Sequence, residues 1–446
     1  MNCASSQAFE QVDQCLGKNA DFVSLRTVLL GQNVQVCYLD SLVDYMKTTE
    51  ALHQLGSTSS DTDDMLSPVL LSIGGTRKTA ADTMIQDLLD GKMAVFLHGD
   101  IEPILFDPAH PSLLRSIAEP QAENVLQSSF DAFTENLSTN MGLLRKQLKN
   151  EHLVMKTYLI GVDNPCNVGL FYMDDKANMN VIQQMVTLLE NSKKKEAYNI
   201  QQLTQVLELP LYSIVPPFIS TELTAETMLN LLDGKAVVMV DHLPIALALP
   251  VIITDFWAVK TDSNQPILFM LFFRFIRIVG FHVALLMPAL YVAIVSVNPE
   301  VLRIELALSI AKSRMGVPYP ALVEVLLMLI IMEMVIEATI RLPKSIGPTI
   351  TMIGGIILGQ AIVQAQLVSN LLIIIVAATM IANLTLAGFQ NTVSIRMLKY
   401  VILFFGSLYG VVGIAIGLTW LGLFLSGITT YRVPFLSFSL KKSGSE

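Results

Sequence analysis

The sequence predicts an α/β cytoplasmic region of two related subdomains followed by an all-α polytopic transmembrane domain. Three observations predict it. Within the first 265 residues, Leu88-Leu89-Asp90-Gly91-Lys92 recurs as Leu231-Leu232-Asp233-Gly234-Lys235, each followed by an apolar run. Asp, Glu and Lys crowd that half, whereas Leu, Ile, Val, Ala and Gly dominate from Pro266 to Tyr431. Inside the apolar half, Glu324, Glu333 and Glu337 lie on one stretch, Ala321–Ile340. A carboxylate at a bilayer centre costs about 2.5–3.5 kcal/mol, so such groups persist only when paired, protonated, or facing water or another subunit.

The first subdomain is placed at residues 1–130, a connecting helix at 131–152 and the second subdomain at 153–260. Gly91 and Gly234 sit where a helix must stop, and each can take the positive φ of a C′ residue. The runs Met93–Leu97 and Ala236–Val240 then read as buried strands, followed by second strands at Ile101–Phe106 and Pro244–Leu249. Upstream, Val36–Asp40 resembles Gly169–Asp174, each a strand ending in aspartate. The two echoes have offsets of 134 and 143 residues, a duplication with a small indel. Each copy reads as strand, helix, strand and hairpin strand, a small mixed sheet covered by helices. Gly56–Asp64 reads as a polar loop. In the connecting helix, Leu137, Met141, Leu144 and Leu148 line one face at helical spacing.

The net charge of −9 argues against nucleic acid as a partner. Cys3, Cys15, Cys37 and Cys166 form no C-x-x-C pair, hence no zinc or disulfide framework. Met-Asn-Cys-Ala-Ser-Ser is not a signal peptide, so the N-terminal region is expected to stay cytoplasmic. There is no G-x-G-x-x-G, Walker lysine loop or H-E-x-x-H. His53, His98, His152 and His242 do not cluster at ligand spacing, and Asp100, Asp174 and Asp241 at strand ends read as turn caps, with binding of something small as the alternative. No catalytic residue, cofactor or metal is therefore expected, and a sensor, channel or transporter fits better than an enzyme.

The transmembrane domain is placed at residues 261–436, with four to five spans and a short polar tail at 437–446. Ile267–Arg277 reads as an interfacial helix whose Arg274 and Arg277 reach phosphates, with the span proper at Ile278–Val297. Asn298–Pro320 is charged, amphipathic and expected along the surface. The glutamate helix ends at Arg341-Leu-Pro343-Lys344. Gly347–Gln366 reads as a span or a re-entrant element, followed by Val368–Gly388 and Tyr400–Gly427. Gly355 and Gly359 form a small-xxx-small pair. Gly406, Gly410, Gly413 and Gly417 form one smooth stripe, which suits packing within the chain or between subunits. Glu333 and Glu337 share a helix face and Glu324 points away. Glu324 lies near a helix end, where dipole and water make it cheap. Glu337 has Arg341 four residues on. Glu333 is central and lacks a local partner, and Gln360 or Gln364 could supply one. These five polar residues are the candidates for an ion path, with structural polar contacts as the alternative.

The segment Asp131–Arg145 resembles the F-T-E-N-L-x-T-N signature of GerA-family spore germination proteins, through Phe133, Glu135, Asn136, Asn140 and Arg145. Pro216–Glu222, Pro318–Glu324, Ile340–Lys344 (with Arg341 and Pro343) and Gly359–Ala365 also look like that family, and the likeness covers Asp21 to Leu436. The resemblance implies the A subunit of a germinant receptor in the inner membrane of the endospore. Its implied partners are a transporter-like B subunit and a lipoprotein C subunit. It further implies a homo-oligomer conducting monovalent cations when nutrients are sensed; the alternative is a non-conducting scaffold for the other subunits. The chain departs from the pattern at Val125–Phe130, which lacks the usual basic residues and glycine, at Leu329, Ile336 and Pro348, and in its short tail.

Overall fold

The computed structural model describes residues 3–57, 66–97, 102–111, 131–342, 347–386 and 388–438. The first unit runs α1 (Cys3–Leu16), β1 (Phe22–Leu29), β2 (Gln32–Leu39), α2 (Tyr45–Ser57), α3 (Leu66–Ser72), β3 (Thr76–Arg77), α4 (Ala81–Leu89), β4 (Met93–Leu97) and β5 (Ile104–Phe106). The second repeats it element for element. It comprises α5 (Leu137–Gln147), β6 (Leu153–Ile160), β7 (Cys166–Met173), α6 (Met179–Asn191), α7 (Ile200–Val206), β8 (Ile219–Thr221), α8 (Thr224–Leu232), β9 (Ala236–Val240) and β10 (Ala246–Leu249). The expected connecting helix is thus the counterpart of α1.

Both sheets have five strands and one topology, β1-β2-β4-β5-β3 and β6-β7-β9-β10-β8. The registers superimpose as well. Cys37 faces Ala94 where Phe171 faces Val237, and Met93 faces Phe106 where Ala236 faces Leu249. The duplication read from the sequence is therefore geometric, with the same two offsets. The expectation of a mixed sheet is corrected, because every strand pairing is antiparallel. The strands absent from that reading are β1 and β3, with their counterparts β6 and β8. In β1 the apolar signal is diluted by Ser24, Arg26 and Thr27 on an exposed edge, and a tight turn at Leu30-Gly31, both with positive φ, returns the chain into β2.

Alternation along the strands feeds two cores per sheet. Val34, Val36 and Tyr38 meet Leu52 of α2 and Leu70 of α3, while Cys37 and Leu39 meet Val12 of α1 and Leu88 of α4. In the second unit, Val168 and Leu170 meet Ile182 and Leu203, while Phe171 and Met173 meet Leu144 and Leu231. The Leu-Leu-Asp-Gly-Lys motif ends α4 and α8. Gly91 and Gly234 take φ of 93° and 85°, and the following lysine N–H groups bond back to Asp87 and Asn230 carbonyls at 2.9 and 3.1 Å.

The units meet across a seam that is close to two-fold. Lys18 reaches Asp174 at 3.6 Å, and its counterpart Lys149 reaches Asp90 at 2.7 Å. The Ala20 N–H donates to the Met155 carbonyl, and the Met155 N–H to Asn19 Oδ1, both at 2.8 Å. Arg145 forms a two-pronged pair with Asp21 at 3.1 and 3.2 Å, with neither side chain reaching solvent.

Beyond two short 3-10 turns, Ile253–Phe256 and Lys260–Asn264, come α9 (Ile267–Val292), α10 (Ile304–Ser313), α11 (Ala321–Arg341), α12 (Gly347–Gln364), α13 (Asn370–Leu384) and α14 (Phe389–Gly427). The expected break at Arg277 is absent: one helical stretch runs Ile267–Val297, because nothing between Arg277 and Ile278 interrupts the backbone ladder. It and Gln390–Gly427 are the two stretches, among the described residues, long and apolar enough to cross a membrane. The expected smooth glycine stripe is also corrected. Gly410 sits at φ 61°, ψ −137°, and α14 folds back there. A Cβ on Gly417 would lie 3.5 Å from Ile402 Cα, although a straight helix would separate fifteen residues by about 22 Å. α14 is therefore an antiparallel helical hairpin. Only glycine fits its corner, since a Cβ on Gly410 would collide with Asn298, whose Oδ1 accepts the Val411 N–H at 3.0 Å. The chain closes with β11 (Thr429–Thr430) and β12 (Val433–Pro434), a ribbon that returns to the second unit. The Tyr431 hydroxyl donates to the Leu207 carbonyl at 2.8 Å, and Phe435 packs edge-on against Phe256.

Candidate functional site

Pro320 starts α11 with extended backbone and places Glu324 in the first turn. The helix dipole and water were the expected stabilisers of this carboxylate; the first-turn position holds, but the side chain is fully buried. Beside the helix N-terminus, three groups replace water: the Ser369 N–H at 2.5 Å, the Tyr291 hydroxyl at 3.4 Å and the Arg314 guanidinium at 3.4 Å. Ser369 also caps α13 through Leu372 N–H, so this one cluster joins α9, α11 and α13.

Glu333 was expected to lack a partner or to use Gln360 or Gln364. Both glutamines are exposed on α12. The partners are Arg396, and Lys399 at 2.9 Å, three residues apart on the first arm of the α14 hairpin and therefore on one face. Lys399 is 1% exposed, Arg396 15% and Glu333 24%. One carboxylate thus faces two cations. Two cations at this spacing in an apolar helix were the sequence signal that could have found the pair. Glu337 pairs with Arg341 at 2.7 Å on an exposed face, as its spacing implies.

A Cβ on Gly355 or Gly359 would meet nothing within 4 Å, so their face of α12 is open within this chain, whereas Gly406 sits against Ala289 of α9. Gly413, on the second arm of the hairpin, abuts Phe405 on the first. Arg277 was expected to reach phosphates. It instead grips Asp262, with a second bond to the Trp257 carbonyl at 3.3 Å.

That pair ends a chain of charges leading out of the second sheet. Lys235, the last residue of the repeated motif, is fully buried and donates to Asp255 at 2.7 Å. Burial drives its ammonium below the usual lysine range against the pull of Asp255. Lys260 reaches Asp233 at 2.5 Å and Asp255 at 3.9 Å, and Asp262 two residues on holds Arg277 of α9. The motif loop is thereby tied through both 3-10 turns to the first apolar helix. Sequence reading missed this chain, because its partners are 15–27 residues apart with no periodic pattern.

The signature segment is a helix start. Asn136 caps α5 by accepting the Thr139 N–H at 3.0 Å, Asn140 clasps both backbone groups of Thr134, and the Glu135 carbonyl accepts from His242. Phe133 is buried beneath, and Arg145 at the helix end is the seam residue. Asp241 also serves this start, accepting the Leu137 N–H at 3.0 Å. His98, Asp100, Val125–Phe130, Pro343, Lys344, most of the Gly56–Asp64 loop and the tail from residue 439 lie outside the described residues.

The sequence is similar to that of known proteins over nearly its whole length. The sequence model for "Bacillus/Clostridium GerA spore germination protein" matches residues 10–445. The membrane protein YfkQ of Bacillus subtilis is 30% identical, with 81% of this chain and 70% of that one aligned. Spore germination protein A1 of the same organism is 28% identical, with 96% and 90% aligned. The crystal structure of the N-terminal domain of the A subunit of the Bacillus megaterium spore germinant receptor GerK3 aligns with 55% of this chain and 93% of its own, at 18% identity and a TM-score of 0.40. With a match over nearly its whole length, the chain belongs to the GerA family of spore germination proteins.

Proposed function

We propose that this protein is a membrane subunit of a spore germinant receptor that transduces nutrient sensing into ion release from the spore core, as a non-enzymatic, oligomeric cation channel. The proposed site of action is the inner membrane of the endospore, with the two sheet units on the cytoplasmic side. Its proposed partners are a transporter-like B subunit and a lipoprotein C subunit. The observation that carries the reading is the charge chain Lys235–Asp255/Asp233–Lys260 and Asp262–Arg277. It gives a movement of the second unit a rigid route to α9, which packs on both α13 and α14. In this reading the paired carboxylates are the closed state. Shifting α14 against α11 parts Glu333 from Arg396 and Lys399 and opens a polar path past Glu324, Glu333 and Glu337, with Gln360 and Gln364 at its side. Gly355 and Gly359, whose face is open, supply a contact for neighbouring protomers.

The neutralisation of all three glutamates within the chain favours a second reading, a non-conducting scaffold that assembles the other subunits. Reconstituting the full chain in liposomes and measuring potassium flux separates the two. A channel conducts, and Glu333→Gln changes its conductance or selectivity. A scaffold recruits partner subunits and never conducts. Conduction unchanged by Glu333→Gln removes Glu333 from the path.

A further inference from the structure

The near-two-fold seam is chemically lopsided. The hairpin registers align Phe22 with Leu153, so Lys18 and Asn19 correspond to Lys149 and Asn150, Asp21 to His152, and Gln14 to Arg145. On one side the Arg145 guanidinium fills the joint between α5 and Asp21. On the other, counting back from the strands puts Gln14, an exposed residue, at the position of Arg145, and the joint carries His152. Around it stand Glu151, whose carboxylate lies 4.0 Å from His152 Nε2, Asp174, bonded to His152 Nδ1 at 3.1 Å, and Asp175. The ligand atoms of His152, Asp174 and Asp175 all lie within 4.8 Å of one another. Among the described residues the lysine paired with this group is Lys18, itself 60% exposed. Three carboxylates against one lysine leave two negative charges where the opposite joint holds a guanidinium.

The donors are also set by rigid backbone. The Asp174 N–H donates to the His152 carbonyl at 3.0 Å, extending the β6–β7 ladder by one pair beyond Leu153–Met173. His152 and Asp174 are therefore cross-strand neighbours, the placement from which an imidazole and a carboxylate can share one ion. An imidazole with two carboxylates is a donor set for a zinc-class divalent ion, with bonds of about 2.0–2.2 Å. Modest side-chain rotation closes the group from 4.8 Å to the ~3.3 Å ligand spacing of such a centre.

We propose that His152, Asp174 and Asp175 bind one zinc-class divalent ion, with Glu151 or water in the fourth position. Binding displaces Lys18 from Asp174.

The test is zinc binding to the full chain in detergent, purified without a polyhistidine tag and stripped with a chelator that is then removed. The expected result is one zinc per chain at micromolar concentration, weakened by His152→Ala and by Asp175→Asn at least as much as the ~10–100-fold that loss of an outer-shell partner costs. Both side chains are exposed, so folding is retained, and circular dichroism checks this. Asp90→Asn, on the opposite side of the seam, is expected to bind as the unsubstituted chain does. The proposal is overturned if the stripped chain takes up no zinc, if either site variant binds as tightly as the unsubstituted chain, or if Asp90→Asn loses as much as they do.

Discussion

Arg145 shows how a signature residue acts as structure. Its guanidinium lies between the units, holds both oxygens of Asp21, and donates to the Leu153 carbonyl at 3.2 Å. Removing one partner of such a pair leaves a buried charge. Arg145→Met is therefore expected to destabilise the seam by about 3–5 kcal/mol, read as faster amide hydrogen exchange in β6 and in residues 19–21. Adding Asp21→Leu should recover most of the loss. Asp87 offers a pH-dependent case. Burial pushes its carboxyl up, but Lys78 at 2.5 Å and Lys92 at 2.8 Å outweigh burial and hold it below the usual carboxylate range. A carboxylate depressed in the folded state stabilises above its unfolded value, about 3.9, and loses that contribution as pH falls through the lower folded value. The stability difference between the parent and Asp87→Asn should thus be constant from pH 5 to 7 and shrink below about pH 4.

At the scale of elements, the hairpin at Gly410 decides how the second apolar stretch is used. Spin labels at positions 402 and 417 should report close approach, and a distance near 22 Å would restore a straight helix. Gly410→Ala should disrupt the corner, because it adds a Cβ at positive φ against Asn298. Strands with a buried apolar face, such as Met93–Leu97 and Ala236–Val240, were legible because composition and the following turn agree. β1 was not, because an edge strand needs apolar residues on one face only and carries polar ones on the other. Gly410 was read as one member of a helical stripe because spacing cannot reveal a positive φ. The partners of Glu333 stayed hidden for a related reason. Arg396 and Lys399 are 63 and 66 residues away, and only the approach of the first arm of α14 to α11 brings them near.

For the whole molecule, two duplicated sheet units sit on one side of a charge chain and an apolar bundle with neutralised acids on the other. The repeat and the division into halves were legible in the sequence; the coupling between the halves was not, since it rests on isolated charges in the 3-10 turns. If that coupling is the signal route, Lys235→Met combined with Asp255→Leu should fold, because the pair leaves together. It should nevertheless blunt the nutrient response of spores at equal receptor abundance. In the proposed channel, the Glu333 clamp holds the ion path shut. Breaking it is expected to favour opening by about 1–3 kcal/mol, discounted for the partial exposure of the pair. The most direct measurement is potassium release from nutrient-free spores carrying Glu333→Gln at parental abundance. Premature release is expected, reversed when Lys399→Met and Arg396→Met remove the stranded cations. Release indistinguishable from the parent, with and without nutrient, would contradict it.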